Sequence, residues 1–247
     1  MSKILFLSGW GYPASVFSDL KEQLQPEHYL TVLDQVDLEA EDQSGSKEVC
    51  YFPYARNLTE IIRRKNPDLV AAWSMGGIIL LEALAGGKLP PFEVLLVGAT
   101  PRFVQQNPQS LAGVKEKFLR AMSLKLKQQP EQVLNDFHKL AAHPDKPGQV
   151  TEISREMLRN EEGELLRGLV YLNRINLIED LPKINRFLTV VHAEKDRIVP
   201  PAAARYLVEQ LSNAVLNFVS GGHAFPLTRS DQFIELLGDW ASEGKVK

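Results

Sequence analysis

The chain has 247 residues, 44% of them hydrophobic and 24% charged, which excludes a disordered or low-complexity polymer and suffices to bury a core without covalent staples. Its 28 basic and 31 acidic side chains leave a net charge of −3, so no global electrostatic footprint for nucleic acid exists. The single cysteine, Cys50, excludes an internal disulfide framework and a cysteine-based zinc site, and fits a reducing compartment.

The chain opens with a buried-strand pattern, Ile4–Leu7, ended by Ser8-Gly9-Trp10-Gly11. That run is too short for the apolar region of a signal peptide. Ala14 to Leu24 has helical spacing, with Val16, Phe17, Leu20 and Leu24 on one face. Tyr29–Leu33 reads as a second strand, and the acidic, glycine-containing stretch from Asp37 to Ser46 as a loop. A helix is predicted over Leu58–Arg64, a third strand over Leu69–Trp73, a helix over Ile78–Ala85 stopped by Gly86-Gly87, and a fourth strand over Val94–Val97. Short apolar strands alternating with helices predict a parallel sheet covered on both faces.

That rhythm stops after Val97. About 90 residues then separate two strands that a crossover of a dozen could join. They carry helical patterns over Val114–Leu126, Gln132–Ala142, Ile153–Leu158 and Glu164–Asn173, with prolines at 108, 130, 144 and 147. The stretch 102–183 is therefore read as a helical insertion, a lid, on a core made of 1–101 and 184–247. The rhythm resumes with a strand at Phe187–Val191, a helix opened by Pro200-Pro201, a strand at Ala214–Val219 and a closing helix from Asp231 to Trp240. No segment approaches the roughly 18 continuous apolar residues of a membrane helix. No fixed-period repeat is visible. A cytoplasmic monomer with no nucleic-acid or membrane partner is expected.

The strongest chemical signal is Ala72-Trp73-Ser74-Met75-Gly76-Gly77, placed where a strand ends and a helix begins. A serine on such a turn is forced into strained backbone geometry and projects its hydroxyl above the sheet. The residues two before and two after it must be small, and Ala72 and Gly76 are. A serine hydroxyl needs a base, and the base an orienting carboxylate. His223, within Gly221-Gly222-His223-Ala224 after the last strand, and Asp196, after the strand before it, supply both in the order serine, acid, histidine. Glu194 and, more weakly, Asp34 are rival acids. His192 reads as a structural histidine, and His28, His138 and His143 as surface or packing groups. An oxyanion needs two backbone N–H donors, here assigned to Met75, after the nucleophile, and Trp10, in the loop after the first strand.

Together, Ser8-Gly9-Trp10-Gly11, Trp73-Ser74-Met75-Gly76-Gly77, Thr100-Pro101-Arg102-Phe103, Asp196-x-x-Val199-Pro200 and Gly222-His223-Ala224 resemble the α/β-hydrolase fold. More narrowly, the chain resembles the pimeloyl-acyl-carrier-protein methyl ester esterases of biotin synthesis. The resemblance runs in order along nearly the whole chain, including Leu166-Arg167-Gly168-Leu169 and Asp180-Leu181-Pro182. It implies that Ser74 attacks an ester carbonyl, that His223 shuttles the proton and that Asp196 holds the imidazole. Trp10 and Met75 would stabilise the oxyanion, while Trp10, Trp73, Met75, Phe103 and the apolar lid face would contact substrate. Methanol would leave first and water would release the acid, with no metal or organic cofactor.

Three departures stand out. Ser8 occupies a position where the family has histidine, which would loosen the oxyanion loop. The family's preceding strand pair is missing, leaving six strand patterns. Asp34-Gln35-Val36-Asp37-Leu38 does not match the usual Asp-Pro-Gly-x-Gly. Another ester or thioester hydrolase, or an acyltransferase, would use the same three residues. A non-catalytic binding protein of this fold would need one of them broken.

Residues 102–130 hold Arg102, Lys115, Lys117, Arg120, Lys125 and Lys127 against one acid, Glu116. Val114, Phe118, Met122 and Leu126, at i, i+4 spacing, are expected to seat that helix on the core. In the resembling family a basic lid receives the acidic carrier protein, which makes Lys115, Lys117 and Arg120 the expected contacts for such a partner.

Overall fold

The computed structural model describes residues 1–25, 27–38, 52–87, 89–105, 113–148, 153–154, 156–158 and 162–243. The expected acidic loop beyond Leu38, Cys50, Pro108 and part of the helix expected over 153–158 lie outside the described residues.

Six strands form the main sheet: β1 (Ser2–Leu7), β2 (His28–Leu33), β3 (Leu69–Trp73), β4 (Glu93–Val97), β7 (Leu188–Ala193) and β8 (Ala214–Val219). Their order is β2-β1-β3-β4-β7-β8, and every pairing is parallel. The interior strands β3 and β7 are buried at every residue, as expected of strands covered on both faces. Three strands start a residue or two before the apolar run, because the ladder continues through the polar residues Ser2, His28 and Glu93. β7 instead runs on to His192 and Ala193, both buried.

Helices α1 (Ser18–Leu24), α2 (Tyr54–Lys65), α3 (Met75–Ala85), α7 (Pro201–Gln210) and α9 (Ser230–Glu243) accompany this sheet, with the single turn α8 (Phe225–Thr228) before the last. The stretch expected to be helical from Ala14 divides into a 3-10 turn at Ala14–Phe17 and α1. Helix α3 begins at Met75, three residues before the predicted Ile78. Gly76 and Gly77 are helical residues rather than a loop. A Cβ on Gly76 would lie 2.6 Å from the Ser8 carbonyl oxygen and 2.8 Å from the Leu7 Cβ, and one on Gly77 2.6 Å from the Ala99 Cβ. Their absence of side chain lets the first turn of α3 press against the ends of β1 and β4.

Between β4 and β7 lie a two-stranded parallel pair, β5 (Val104–Gln105) with β6 (Val114–Lys115), and helices α4 (Glu116–Leu126), α5 (Pro130–Ala142) and α6 (Glu162–Arg174). The predicted core face of α4 is corrected in part: Leu126 is buried and Val114 and Met122 pack against the core, but Phe118 does not. Val114 pairs with Val104 in a strand, and Phe118 is 59% exposed. Leu119 and Leu126 are the buried residues of α4. Strict i, i+4 steps drift by about 40° each around a helix of 3.6 residues per turn, so four such positions cannot share one narrow face.

Alanine at Gly76 places its Cβ against backbone that cannot yield. Gly76→Ala should lower the unfolding free energy in urea by about 1–3 kcal/mol. Gly238→Ala, inside α9 with open space where its Cβ would sit, should raise it by about 0.5–1 kcal/mol.

Candidate active site

The site lies at the carboxyl ends of the strands. Ser74 follows β3 and takes φ 56° and ψ −120°, in the left-handed half of backbone space where a serine is strained by about 1–3 kcal/mol. Its N–H donates to the Val97 carbonyl at 2.9 Å and its carbonyl accepts from Ile78 N–H at 3.2 Å, so strand and helix hold the turn between them. A Cβ on Gly9 would meet the Ser74 Cβ at 2.9 Å, which explains why the loop after β1 needs glycine where it faces the serine.

The structure brings Ser74, Asp196 and His223 together. Ser74 Oγ lies 2.8 Å from His223 Nε2, and Asp196 Oδ2 lies 2.7 Å from His223 Nδ1. All three residues are buried. Facing a carboxylate, Nδ1 carries the proton and donates it, which leaves Nε2 as the acceptor for the serine hydroxyl. The other carboxylate oxygen of Asp196 accepts the N–H groups of Ile198 and Val199, each at 2.8 Å, so the acid is fixed by its own turn. The histidine loop is tied to the serine strand as well: the Trp73 indole N–H donates to the His223 carbonyl at 2.9 Å. Gly98, with φ 56°, lets β4 end beneath the ring; a Cβ there would sit 3.4 Å from it.

The rivals are elsewhere. Glu194 is exposed. Asp34 accepts the N–H of Ala14 at 2.8 Å and of Val36 at 3.0 Å, so it braces two turns. His192 is wholly buried and its Nε2–H donates to the Val199 carbonyl at 2.8 Å, while its Nδ1 has no partner. Burial pushes that ring below its ordinary value of 6.5, against the opposing pull of Asp196. His28 is buried within the core and His143 is half-buried.

Met75 is the first residue of α3, where N–H groups lack intrahelical acceptors. Across from it, the loop after β1 is far from loose. Ser8 Oγ donates to the Tyr12 carbonyl at 2.7 Å, the Trp10 indole donates to the Leu165 carbonyl at 2.9 Å, and His138 Nε2 lies 2.8 Å from the Gly11 carbonyl. The expected loosening by Ser8 is thus overturned, because its hydroxyl closes the loop on itself.

A cavity of about 650 Å³ opens above Ser74. Trp10, Phe103, Phe118, Leu119, Met122, Val133, Phe137, Leu169 and Leu172 give it an apolar wall, and Lys115, Lys125 and Arg197 stand at its polar fringe. Trp73 does not line it, contrary to the expectation that it contacts substrate. Its indole points into the core against Tyr12 and His223, with ring centroids 4.7 and 5.7 Å away, and is fully buried. The Met75 side chain is not part of the wall either. Among the expected partner contacts, Lys115, Lys117 and Arg120 are exposed. Arg120 pairs with Glu116 at 2.9 Å and Lys125 with Asp136 at 3.1 Å, so the charge of this face is partly neutralised within it.

His138, expected to be a surface or packing group, is buried and packed on Tyr12 and Phe137, while Arg197, at the cavity, was given no role from the sequence. The signal for Arg197 was adjacency to Asp196 on a site loop. His138 sits mid-helix in α5 and gives no local signal at all. Among the described residues no group of three histidine, cysteine, aspartate or glutamate side chains is placed to hold a metal ion, and no helix is long and apolar enough to cross a membrane.

An all-parallel sheet, a strained serine between strand and helix, and a histidine and acid on the following strand ends define a hydrolase architecture, and the chain belongs to the alpha/beta hydrolase family, which it matches over residues 4–236. Within that family it is similar to the pimeloyl-[acyl-carrier protein] methyl ester esterases of Xanthomonas axonopodis pv. citri, at 28% identity over 242 residues, and of Xanthomonas oryzae pv. oryzae, at 29%; each alignment spans 95% of this chain and 92% of the relative. Among solved structures, an esterase from Exiguobacterium antarcticum superposes with a TM-score of 0.82 at 19% identity, covering 98% of this chain and 92% of that one.

The His192 environment has a consequence for stability. The folded state holds this ring neutral more firmly than the unfolded chain does, so its contribution is complete above pH 6.5 and falls as the pH drops below that value. Unfolding free energies measured from pH 7 to pH 5 should decline more steeply for the wild type than for His192→Gln, which keeps a donor but does not titrate.

Proposed function

We propose that the protein is a serine carboxylesterase acting through Ser74, His223 and Asp196, and that its substrate is an acyl methyl ester carried by an acyl carrier protein. The observation that carries the reading is the unbroken hydrogen-bond chain from Ser74 Oγ through His223 to Asp196 at the floor of the apolar cavity.

The steps follow from that geometry. Ser74 Oγ attacks the ester carbonyl while its proton passes to His223 Nε2. The new imidazolium is stabilised by Asp196. The carbonyl oxygen becomes an oxyanion stabilised by the Trp10 and Met75 N–H groups. Collapse breaks the bond to the alkoxy oxygen, which takes the proton from His223 and leaves as methanol. A water then delivers its proton to His223 and attacks the acyl-serine. Collapse of the second intermediate returns the proton to Ser74 and frees the carboxylic acid.

The helices between β4 and β7 act as a lid in this reading. The acyl chain runs from Ser74 along Leu119, Met122 and Phe137, with its carrier end emerging where Lys115 and Arg197 stand. The names of the relatives support the carrier-linked methyl ester, and the exposed Lys115, Lys117 and Arg120 suit an acidic partner.

Ser74→Ala should lower ester hydrolysis by several orders of magnitude with unchanged unfolding, as expected of a group acting in a unit, and a sulfonyl fluoride should label Ser74 in the wild type. Asp196→Asn should cost about 10⁴-fold by inverting the histidine tautomer, whereas Glu194→Gln should cost little. Full turnover by the alanine variant would sink the mechanism.

The partner is tested separately. Reversing Lys115, Lys117 and Arg120 to glutamate should lower kcat/KM for a carrier-protein ester, and added salt should weaken the wild type toward that substrate. Hydrolysis of a small neutral aryl ester should be unaffected by either. Equal losses on both substrates would instead assign those charges to support of the lid.

A further inference from the structure

The oxyanion loop is closed by its own bonds, from Ser8 Oγ to the Tyr12 carbonyl at 2.7 Å and from Tyr12 N–H to the Gly9 carbonyl at 3.3 Å, but its glycines add little torsional stiffness. Trp10 is flanked by Gly9 and by Gly11, whose φ is 76°, and glycine restrains neither neighbouring peptide. Contacts from outside, from α5 as well as from the Leu165 carbonyl and Gly168 of α6, therefore help to hold it. Helix α5 touches it most closely at Gly11: a Cβ there would lie 3.3 Å from Leu134 Cδ2, 3.6 Å from His138 Nε2 and 3.7 Å from Phe137 Cδ1. The Phe137 ring meets the Trp10 ring edge-on at 4.9 Å.

The polar contact at this seam is made by His138. The side chain is 1% exposed, and its Nε2 is 2.8 Å from the Gly11 carbonyl. A carbonyl oxygen only accepts, so Nε2 carries the proton. The opposite nitrogen lies 3.2 Å from the Ser154 hydroxyl, which donates its one proton to Asn135 Oδ1 at 2.9 Å.

The other end of the same helix grips the histidine loop. The Ala141 carbonyl accepts the Ala224 N–H at 2.9 Å, and Gly222 packs so tightly on the His143 carbonyl that a Cβ would overlap it. Just beyond, Asp145 receives both Nε and Nη2 of Arg229 at 3.0 Å, and Arg229 reaches back to Ser220 at 2.9 Å. One helix thus holds the loop of the oxyanion donor and the loop of the base.

We propose that α5 registers the oxyanion loop against the histidine loop, and that His138 is the positioning residue that aims the Trp10 N–H through its bond to the Gly11 carbonyl. This rests on the reading of Ser74 as nucleophile and Trp10 as oxyanion donor. It also makes α5 a fixed part of the reaction centre rather than a moving cover.

Three variants test it on a small neutral aryl ester. In His138→Gln the amide nitrogen reaches the place of Nε2; in His138→Asn it reaches only that of Nδ1; in His138→Leu the donor is gone. The Leu and Asn variants should lose about 10- to 100-fold in kcat, the range for a misplaced donor, with KM within about twofold. The Gln variant should recover most of kcat. A trifluoromethyl ketone, which forms a tetrahedral oxyanion on the serine, should lose affinity in the Leu and Asn variants by the same factor as kcat. The matching unreactive alcohol should bind all forms alike. If the Leu variant folds poorly, the Asn and Gln pair carries the test.

Equal kcat for Asn and Gln variants would overturn the proposal, as would parallel loss of ketone and alcohol affinity, which marks general damage to the pocket. Failure of the wild type to form a ketone adduct on Ser74 would instead remove the nucleophile reading itself.

Discussion

The structure depends on the approach of two backbones that no side chain separates. The first turn of α3 presses on the end of β1, with Gly76 against the Ser8 carbonyl and Gly9 against the Ser74 Cβ. This contact accompanies the strained φ of Ser74 and sets the loop of Trp10 against the turn that leads into Met75. The candidate nucleophile and the loop of the candidate donor thus share one packing contact at the centre of the sheet. The cost of the strained serine is offset by the surrounding core, since β3 and most of α3 are buried without interruption. The strain is tolerable because neighbouring elements determine the turn from both sides.

Much of this was legible in the sequence because the relevant signals are local. Strands buried on both faces show as apolar runs, so all six strands of the main sheet were found, and their order of appearance implied the parallel architecture. Small residues around Ser74 report a crowded turn directly. Glycine pairs were harder to read. Gly86-Gly87 does end a helix, but Gly76-Gly77 lies within one, and periodicity cannot distinguish a glycine that breaks a helix from one that lets it approach a strand. Helix α4 was misread for a related reason: Phe118 looks like a core residue, but its aromatic ring stands over the cavity, where an apolar side chain can be exposed and still have apolar neighbours.

The residues missed are those whose role comes from distant parts of the chain. His138 is 127 positions from the carbonyl it touches, and Trp73 is 150 from the one it bonds. Trp73 beside a candidate nucleophile suggested a pocket wall, yet adjacent residues at a strand end point to opposite sides, so the neighbour of a serine that lines the cavity faces the core. The choice between Asp196 and Glu194 is of the same kind. Both follow β7, but only the turn through Ile198 and Val199 gives a carboxylate two N–H donors and aims it at the imidazole.

The long connection from Val97 to Leu188 has a consequence for how this protein can diversify. The entropy of closing a loop grows only with the logarithm of its length, so the pairing of β4 with β7 is nearly indifferent to how many residues lie between them. The segment departs from the sheet at the rim of the cavity and supplies most of its wall. Insertions, deletions and repacking there can reshape the space offered to a substrate while the sheet keeps its register. Selection can therefore act on the cavity and on the reaction centre as nearly separate traits, except along α5, where the wall and the centre share a helix and change in one must be answered by change in the other.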